Sequence, residues 1–451
     1  MKTIEHCGLR MGVHLLTITI PFNERSAGCA FCIKADHYFQ KILSTDRIFL
    51  LPVAGSKHEN NCLTSNIIRG IMKKIVTHNI FNPVRRITAV LCLKRSSVMN
   101  RTICFYGIGN DWGEFYIKYC ISAGLKNMHI TDPDSSLWWT QYGRLTIFDP
   151  NCMKWDMYDL VVITSDDEQY CKDAINQLST VHKVPREKIK TCQEVTLLTK
   201  GLKESYKWKS GKLANTDKAE FVTKEELRGM IDAASLNDLE KFFLLEYHRP
   251  IHKWLQYFEA YDRFFSKYRG KDITILEIGV FKGGSLQMWK NYFKTSENKV
   301  QIYGIDIDPK CKGMEEDGIN IFIGSQEDRK FLRKIKKEIG KVDILIDDGG
   351  HTMKQQRVTF EELFDCVADD GVYLCEDLHT SYWESYGGGY KSRKSFIEYS
   401  KNLIDYVNAS YYETDKLKVN AYKDSIRFIT YCDSMIFIEK KPTTNRYSII
   451  S

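Results

Sequence analysis

The sequence predicts an α/β protein with two successive Rossmann-like units, a smaller unit first and a larger unit in the C-terminal half. Two observations lead to this prediction. Short apolar runs alternate with helix-like segments at the spacing of β-α-β units, and in each unit the first apolar run leads directly into a glycine-rich turn. The length of 451 residues agrees, because chains of this size usually divide into more than one domain.

These patterns divide the chain into four predicted parts. They are an N-terminal extension without an assigned role (1–98), the smaller Rossmann-like α/β domain (99–200), a polar, lysine-rich linker (201–245), and the larger Rossmann-like domain (246–451). Within the linker, Thr223 and Glu226 have the spacing of a capping box at the start of a helix. Met99 stands immediately before the first predicted strand and is a candidate start of the functional chain.

Composition and charge argue against two classes of binding partner, nucleic acids and membranes. The net charge of +7 arises from 65 basic and 58 acidic residues spread along the chain, so we expect no nucleic-acid partner. The longest apolar stretch, 13–22, is too short to cross a bilayer, so we expect no membrane partner either. The fourteen cysteines are scattered, and Cys29 and Cys32 lack further ligands for zinc, so free thiols in the cytoplasm are predicted. A homo-oligomer is left open.

The smaller domain starts with a strand at 103–106 that leads into Gly107, Gly109 and Gly113, followed by a helix and a second strand ending before Asp132. Further predicted elements are a strand at 160–165 and a helix at 168–178. This spacing of glycines is a weak signal by itself. One interpretation is a site for a nucleotide or nucleotide-sugar; the other, which we favour slightly, is that the glycines only allow a tightly packed turn.

The larger domain starts with a buried strand at 273–279 that leads into the glycine-rich segment 280–285 and then an apolar helix. Glycines at such a turn let the backbone approach a ligand, and the start of the helix offers free N–H groups to a carboxylate. A tight turn without any ligand is the alternative.

The next two strands also end in polar residues. Asp306 follows the strand 301–306 and can accept both hydroxyls of a ribose, and Gln326 follows the strand 319–323 at the usual height of an adenine. Because three strand ends address one nucleoside, we predict a site for S-adenosylmethionine (SAM). The predicted cofactor-binding residues are Glu277, Gly279, Gly283, Ser285, Asp306, Gln326 and Asp347.

Two further strand ends carry acids. The fourth strand, 342–347, leads into Asp348 and His351, and the fifth, 372–375, leads into Glu376 and Asp377. Carboxylates that converge without a lysine or arginine need a cation, and oxygen ligands suit Mg²⁺ or another divalent ion. His351 is the predicted general base of the reaction. The alternative is a histidine that caps the next helix beside solvated carboxylates.

The segment after the fifth strand supplies a candidate acceptor site. Tyr382 and Trp383 are predicted to bind the substrate, because aromatic rings stack on sugar faces. The glycines at 387–389 allow a mobile loop beside them. An ordinary surface loop is the alternative.

Four motifs in this half together resemble a known family. They are LEIGVFKGGS (276–285), YGID (303–306), IDDGGH (346–351) and CEDLHTSYW (375–383). The region 245–395 is similar to the metal-dependent sugar O-methyltransferases of macrolide biosynthesis and to the related cephalosporin hydroxylase-like proteins. More loosely, the stretch from 246 to 261 resembles the family segment that closes over SAM. Gly350 stands where the family often has serine.

This resemblance implies a class I SAM-dependent methyltransferase fold, Mg²⁺ held by Asp348, Glu376 and Asp377, and a base at His351. The predicted activity is therefore SAM-dependent, metal-assisted methylation of a hydroxyl on a sugar or glycosylated small molecule, in the biosynthesis of a polysaccharide or natural product. Two alternatives remain. One is an oxygenase with Fe²⁺ in the carboxylate site, and the other is a module that binds a nucleotide-sugar through the smaller domain.

Overall fold

The computed structural model describes residues 101–209, 219–413, 422–442 and 448–451. All of them belong to one compact unit, Arg85–Ser451. The predicted N-terminal extension, Met99 and the pair Cys29 and Cys32 lie outside the described residues. Within the described ranges, every helix is too short or too polar to cross a lipid bilayer.

The smaller domain is built on a six-stranded sheet with strand order β3-β4-β2-β1-β5-β6. All neighbours pair in parallel except β3 and β4. The strands are β1 (Ile103–Tyr106), β2 (Met128–Thr131), β3 (Gln141–Tyr142), β4 (Leu145–Phe148), β5 (Leu160–Ile163) and β6 (Ile189–Thr191). The helices are α1 (Asp111–Ser122) and α2 (Glu168–Thr180).

Local sequence explains these elements. Strands β1 and β5 are buried at every position, as expected for parallel strands covered on both faces. Each helix begins at a residue that suits an N-cap: the Asn110 side chain accepts a hydrogen bond from the Gly113 backbone, and Asp167 does the same for Tyr170. The predicted strand and helix order of this domain is therefore present.

The segment predicted as a linker is folded over much of its length. Three helices lie mostly or wholly within it: α3 (Lys200–Ser205), α4 (Lys224–Met230) and α5 (Asp238–Leu245). It also contains the strand β8 (Glu220–Thr223), which pairs antiparallel with β7 (Val195–Leu198) just before the predicted linker. Both α4 and α5 start with a capping box, the first of them the predicted one at Thr223. Apolar side chains of these elements form a buried cluster of their own. The lysine-rich composition does not keep this segment in solvent, since Lys203 and Lys224 are buried here.

The larger domain has a seven-stranded sheet with strand order β11-β10-β9-β12-β13-β15-β14. The strands are β9 (Ile273–Ile278), β10 (Val300–Asp306), β11 (Ile319–Ile323), β12 (Val342–Asp347), β13 (Val367–Cys375), β14 (Ile426–Cys432) and β15 (Met435–Lys440). Strands β9 to β13 are parallel, and β15 runs antiparallel to both of its neighbours. This order, with its single reversed strand, is the class I methyltransferase form of the Rossmann-like fold, as predicted.

Helices cover both faces of this sheet. They are α6 (Tyr257–Phe265), α7 (Gly284–Phe293), α8 (Arg329–Ile339), α9 (Met353–Leu363), α10 (Phe396–Asn408) and the short α11 (Tyr422–Ser425). Two buried apolar clusters, one on each side of the sheet, hold the layers together. The carboxyl ends of β9 to β13 therefore lie at one edge of a rigid support, where ligands bind in open α/β sheets.

Candidate active site

A cavity of about 620 Å³ opens at this edge of the larger sheet. Its walls come from loops that follow β9, β10, β11, β12 and β13, so that strands far apart in sequence contribute to one space. Six of the predicted site residues line it: Gly279, Asp306, Gln326, Asp348, His351 and Asp377.

The glycine turn after β9 brings the backbone close to the next strand end. Gly279 has a φ of 94°, in the region that favours glycine. A Cβ atom at this position would overlap the carbonyl oxygen of Asp348. Gly283 also has a positive φ, but it packs against Met314 and Arg249 at the start of α7. Gly279 is therefore at the cavity, whereas Gly283 shapes the turn behind it.

Asp306, at the end of β10, faces the same turn. One of its carboxylate oxygens accepts hydrogen bonds from the backbone N–H groups of Val280 and Phe281, at 2.8 and 3.1 Å. The other accepts from the N–H of Asp308 at 2.9 Å. These bonds fix the carboxylate at the rim of the cavity, at the position predicted for a ribose contact.

Glu277 and Ser285 lie beneath the turn rather than in the cavity lining. Glu277 is fully buried and accepts hydrogen bonds from the Ser285 hydroxyl and the Trp289 indole, both at 3.1 Å. Burial raises the pKa of Glu277 to about 7. These two predicted cofactor residues therefore connect β9 to α7 and support the glycine turn from below.

Asp347 and Gln326 form a second buried support. The Gln326 amide nitrogen donates to Asp347 at 3.0 Å, and its oxygen accepts from the Gly350 backbone at 2.8 Å. Burial raises the pKa of Asp347 to about 6. Gln326 thus reaches the cavity while it holds the loop after β12, and Asp347 lies below that loop.

Asp348, His351 and Asp377 come together at the inner end of the cavity, with potential ligand atoms within 4.8 Å of one another. The His351 Nε2 atom lies 3.4 Å from a carboxylate oxygen of Asp377 and 3.9 Å from one of Asp348. The Nδ1 atom of His351 is buried and has no hydrogen-bond partner among the described residues. The two carboxylates of this group fit a divalent cation, and the imidazole beside them is free to accept a proton.

Two residues of this group have an uncommon backbone conformation. His351 has a φ of 56° and Asp377 a φ of 54°, in the left-handed region that costs energy for residues other than glycine. The Thr380 hydroxyl holds the His351 carbonyl at 2.9 Å. Strain of this kind, concentrated at two neighbouring polar side chains, is typical of functional sites.

Glu376, the third predicted metal ligand, is engaged elsewhere. It is fully buried, and its two carboxylate oxygens accept hydrogen bonds from the Tyr261 hydroxyl and the Lys253 ammonium group, both at 2.8 Å. The structure therefore groups Asp348 and Asp377 with His351, and it connects Glu376 to Asp348 through the shared Lys253 ammonium group.

Lys253 corrects one premise of the sequence analysis, which assumed that no basic side chain shares the carboxylate cluster. Its ammonium group lies 2.5 Å from Asp348, 2.8 Å from Glu376 and 3.9 Å from Glu277, and its side chain is only 3% exposed. Burial disfavours the charged form, but these carboxylates raise the pKa of Lys253 well above its usual value. The protein therefore supplies one fixed positive charge to its own acidic cluster.

Tyr257 and Tyr261, one helical turn apart on α6, were noted in the sequence only as a loose family match. The Tyr257 hydroxyl donates to Asp377 at 2.6 Å, as Tyr261 does to Glu376. Their spacing of four residues was a usable signal, since it puts both hydroxyls on one helix face. Nothing in the sequence pointed to Lys253.

The predicted acceptor residues lie outside the cavity lining. Tyr382 and Trp383 are both about half exposed. The Trp383 ring contacts His379 at a centroid distance of 4.7 Å, and His379 in turn contacts the exposed Trp254 at 5.9 Å. Since His379 is 3.9 Å from Asp377, this aromatic group adjoins the acidic cluster from the solvent side.

When the strands of the larger sheet are counted from β9 as strand 1, their order is 3-2-1-4-5-7-6. This order, with a glycine turn after the first strand, defines the larger domain as a class I SAM-dependent methyltransferase fold. Sequence comparison narrows the resemblance to enzymes that methylate sugars. No protein-family model matches the chain.

The similar curated proteins are O-methyltransferases. The chain is 32% identical to demethylmacrocin O-methyltransferase of Streptomyces fradiae over 49% of this chain and 57% of that protein. It is 34% identical to mycinamicin VI 2''-O-methyltransferase of Micromonospora griseorubida over 43% of this chain and 50% of that protein. A tetracenomycin-C 3'-O-methyltransferase of Streptomyces olivaceus is 37% identical over 34% of this chain and 40% of its own length.

Among solved structures, the MycE methyltransferase of the mycinamycin pathway in complex with Mg and SAH is 32% identical, with a TM-score of 0.41, over 46% of this chain and 55% of that one. The chain thus spans about half the length of the curated relatives that it matches.

Proposed function

We propose that this protein is a SAM-dependent O-methyltransferase that methylates a sugar hydroxyl of a glycosylated small molecule. A divalent cation assists the reaction, and Mg²⁺ is the cation that we propose. One observation carries the proposal. The glycine turn, the ribose-type acid Asp306 and the cluster of Asp348, His351 and Asp377 all line a single cavity. A methyl donor and a hydroxyl that is to be activated need this kind of proximity.

The cofactor occupies the part of the cavity beside the glycine turn. The missing side chain at Gly279 lets the loop after β12 approach the turn closely, and the methionine part of SAM lies along the wall that results. Asp306 accepts hydrogen bonds from the ribose hydroxyls. Gln326 and the loop that it holds border the adenine. Glu277, Ser285 and Asp347 act by keeping this frame in place.

Asp348 and Asp377 would hold the divalent cation. Bound there, the cation supplies positive charge that favours the ionised form of an acceptor hydroxyl. Lys253 and Tyr261 hold the two carboxylate oxygens of Glu376, so Glu376 would serve as the third ligand only by exchanging one of these contacts for the cation. Tyr257 fixes the orientation of Asp377 through its hydroxyl.

His351 takes the proton of the acceptor hydroxyl through Nε2, the ring nitrogen that faces the two carboxylates. The hydroxyl oxygen attacks the methyl carbon of SAM; the new C–O bond forms as the C–S bond breaks, and neutral S-adenosylhomocysteine (SAH) leaves. Asp377, 3.4 Å from Nε2, stabilises the imidazolium that results. The aromatic group around Trp383 packs against the sugar of the acceptor.

Transfer of a labelled methyl group from SAM to a panel of glycosylated acceptors tests this function. We expect transfer by the wild-type protein that depends on added Mg²⁺ and is lost on chelation. The Asp348→Ala variant, shown to be folded, serves as the negative control. Consumption of oxygen without methyl transfer would contradict the proposal and favour an oxygenase.

A further inference from the structure

The smaller domain also reaches the cavity of the larger domain. Asp111, Trp112 and Phe115, all on the first turns of α1, line it together with Gly279 and Asp306. The cleft to which we assign the cofactor therefore has one wall that does not belong to the methyltransferase domain.

Four aromatic side chains, two from each domain, meet on this side of the cleft. Phe281 of the glycine turn contacts both Trp112 and Phe115 edge to face, with ring centroids 5.8 Å apart in each case. Phe115 also contacts His252, which lies next to Lys253 in sequence, at 5.6 Å. We refer to Trp112, Phe115, His252 and Phe281 as the aromatic wall.

Phe281 has a backbone conformation that its side chain does not favour. Its φ is 52°, although an aromatic residue pays an energetic cost in the left-handed region. Its ring stays 44% exposed, so burial in a core does not compensate for this strain. The backbone N–H of Phe281 donates to Asp306, which places the ring beside the predicted ribose position.

Ion pairs connect two loops of the larger domain, the glycine turn after β9 and the loop after β10, to the smaller domain. Lys282, next to Phe281, pairs with Asp166 at 2.8 Å, with both side chains about one-fifth exposed. Lys310, in the loop after Asp306, pairs with Asp111 at 2.8 Å. The second pair is largely exposed and contributes little, so the first pair and the aromatic wall carry the contact.

The smaller domain's own glycine turn is built like that of the larger one but is filled from within. Asp132 accepts hydrogen bonds from the backbone of Gly109 and Asp134, both at 2.8 Å, as Asp306 does in the larger domain. The Tyr170 ring lies against Gly107, and a methyl group of Leu137 lies 3.1 Å from the Cβ position of Gly109. The side of this domain that faces a ligand cavity is thus α1, not its glycine turn.

We propose that Trp112, Phe115 and Phe281 are cofactor-binding residues, and that the smaller domain serves to close the ribose side of the SAM cleft. This inference rests on the proposed function. The apolar rings pack against the ribose and the adjoining part of SAM and shield the hydrogen bonds to Asp306 from water. The smaller domain then acts as part of the enzyme's cofactor site.

Calorimetric titration with SAM and with SAH tests the inference in the full-length chain. The variants are Phe115→Ala and Phe281→Asn, because Phe115 is partly exposed and asparagine tolerates a positive φ. Each is expected to bind both ligands about tenfold more weakly than the wild type, the loss that fits removal of one aromatic packing partner. Val181→Ala and Tyr411→Ala, exposed positions away from the cavity, are the matched controls and should bind like the wild type.

Circular dichroism and thermal unfolding establish that each variant is folded. A third variant, Asp166→Asn, removes the ion pair to Lys282 without changing a residue of the cavity lining, and we expect a smaller loss of affinity in the same direction. If the wild type binds SAM and both aromatic variants bind it equally well, the inference is wrong and the proposed function stands. If the wild type binds neither SAM nor SAH, both are wrong.

Discussion

Replacement of Lys253 by methionine perturbs the acidic cluster without leaving a large void, since the two side chains are similar in length. The ammonium group contacts Asp348 and Glu376 at 2.5 and 2.8 Å, and water reaches only 3% of the side chain, so screening is weak. Removing one partner from a buried ion pair usually costs about 3–5 kcal/mol. Glu376 then keeps Tyr261 as a partner and can take up a proton, which limits the cost.

We therefore expect Lys253→Met to unfold at a temperature lower by roughly 10 °C in the presence of EDTA, using about 2–4 °C per kcal/mol for a domain of this size. Excess Mg²⁺ should restore part of this loss, because the divalent ion replaces the missing positive charge. Thermal unfolding followed by circular dichroism measures both effects.

Lys267→Met is the matched control, because Lys267 pairs with Glu439 at 2.8 Å but is 44% exposed. An exposed pair contributes about 0–1 kcal/mol, so this variant should unfold within a few degrees of the wild type. If Lys253→Met unfolds at the wild-type temperature in EDTA, Lys253 does not neutralise the cluster and the electrostatic reasoning is refuted.

Three further predictions concern the proposed reaction. His351→Ala should lower kcat at least about a hundredfold, the usual contribution of a general base, while calorimetric SAM affinity stays near the wild-type value; a wild-type kcat would remove His351 from the mechanism. Asp306→Ala should weaken SAM binding about tenfold through the lost ribose hydrogen bonds, and unchanged affinity in the same titration would place the ribose elsewhere. Trp383→Ala should raise KM for the sugar acceptor severalfold with SAM affinity unchanged, because its half-exposed ring stacks on the sugar; steady-state kinetics in which KM stays constant would show that the acceptor binds at another face.

The fold was predictable wherever a buried strand ends in a polar or glycine residue. β11 and β12 have the predicted bounds, and β9 and β10 differ by one residue. The run before Val372 was not predicted as strand, because Asp369, Asp370 and Gly371 interrupt the apolar pattern of β13. The final pair, β14 and β15, was missed altogether, although it is a local antiparallel hairpin in which only Asp433 and Ser434 separate the two strands.

The residues of the candidate site that directly follow a strand of the sheet could be predicted from the sequence. Asp348, His351 and Asp377 meet because parallel strands β12 and β13 end side by side. The position of Lys253 depends on contacts with residues 95 and 123 positions away, and no local pattern encodes such a contact. The same holds for Trp112 and Phe115, whose own motif suggested either a nucleotide site or a tight turn within the smaller domain and no contact with the larger one.

Calorimetric titration of SAM into the wild-type protein and into Gly279→Trp, each with Mg²⁺ and with EDTA, tests the central claim most directly. A side chain at Gly279 would collide with the carbonyl of Asp348, in the loop that lines the cavity beside it. The proposed function predicts micromolar binding by the wild type and none by a folded Gly279→Trp variant. Absence of SAM binding by the wild type under every metal condition, or equal binding by both proteins, would contradict it.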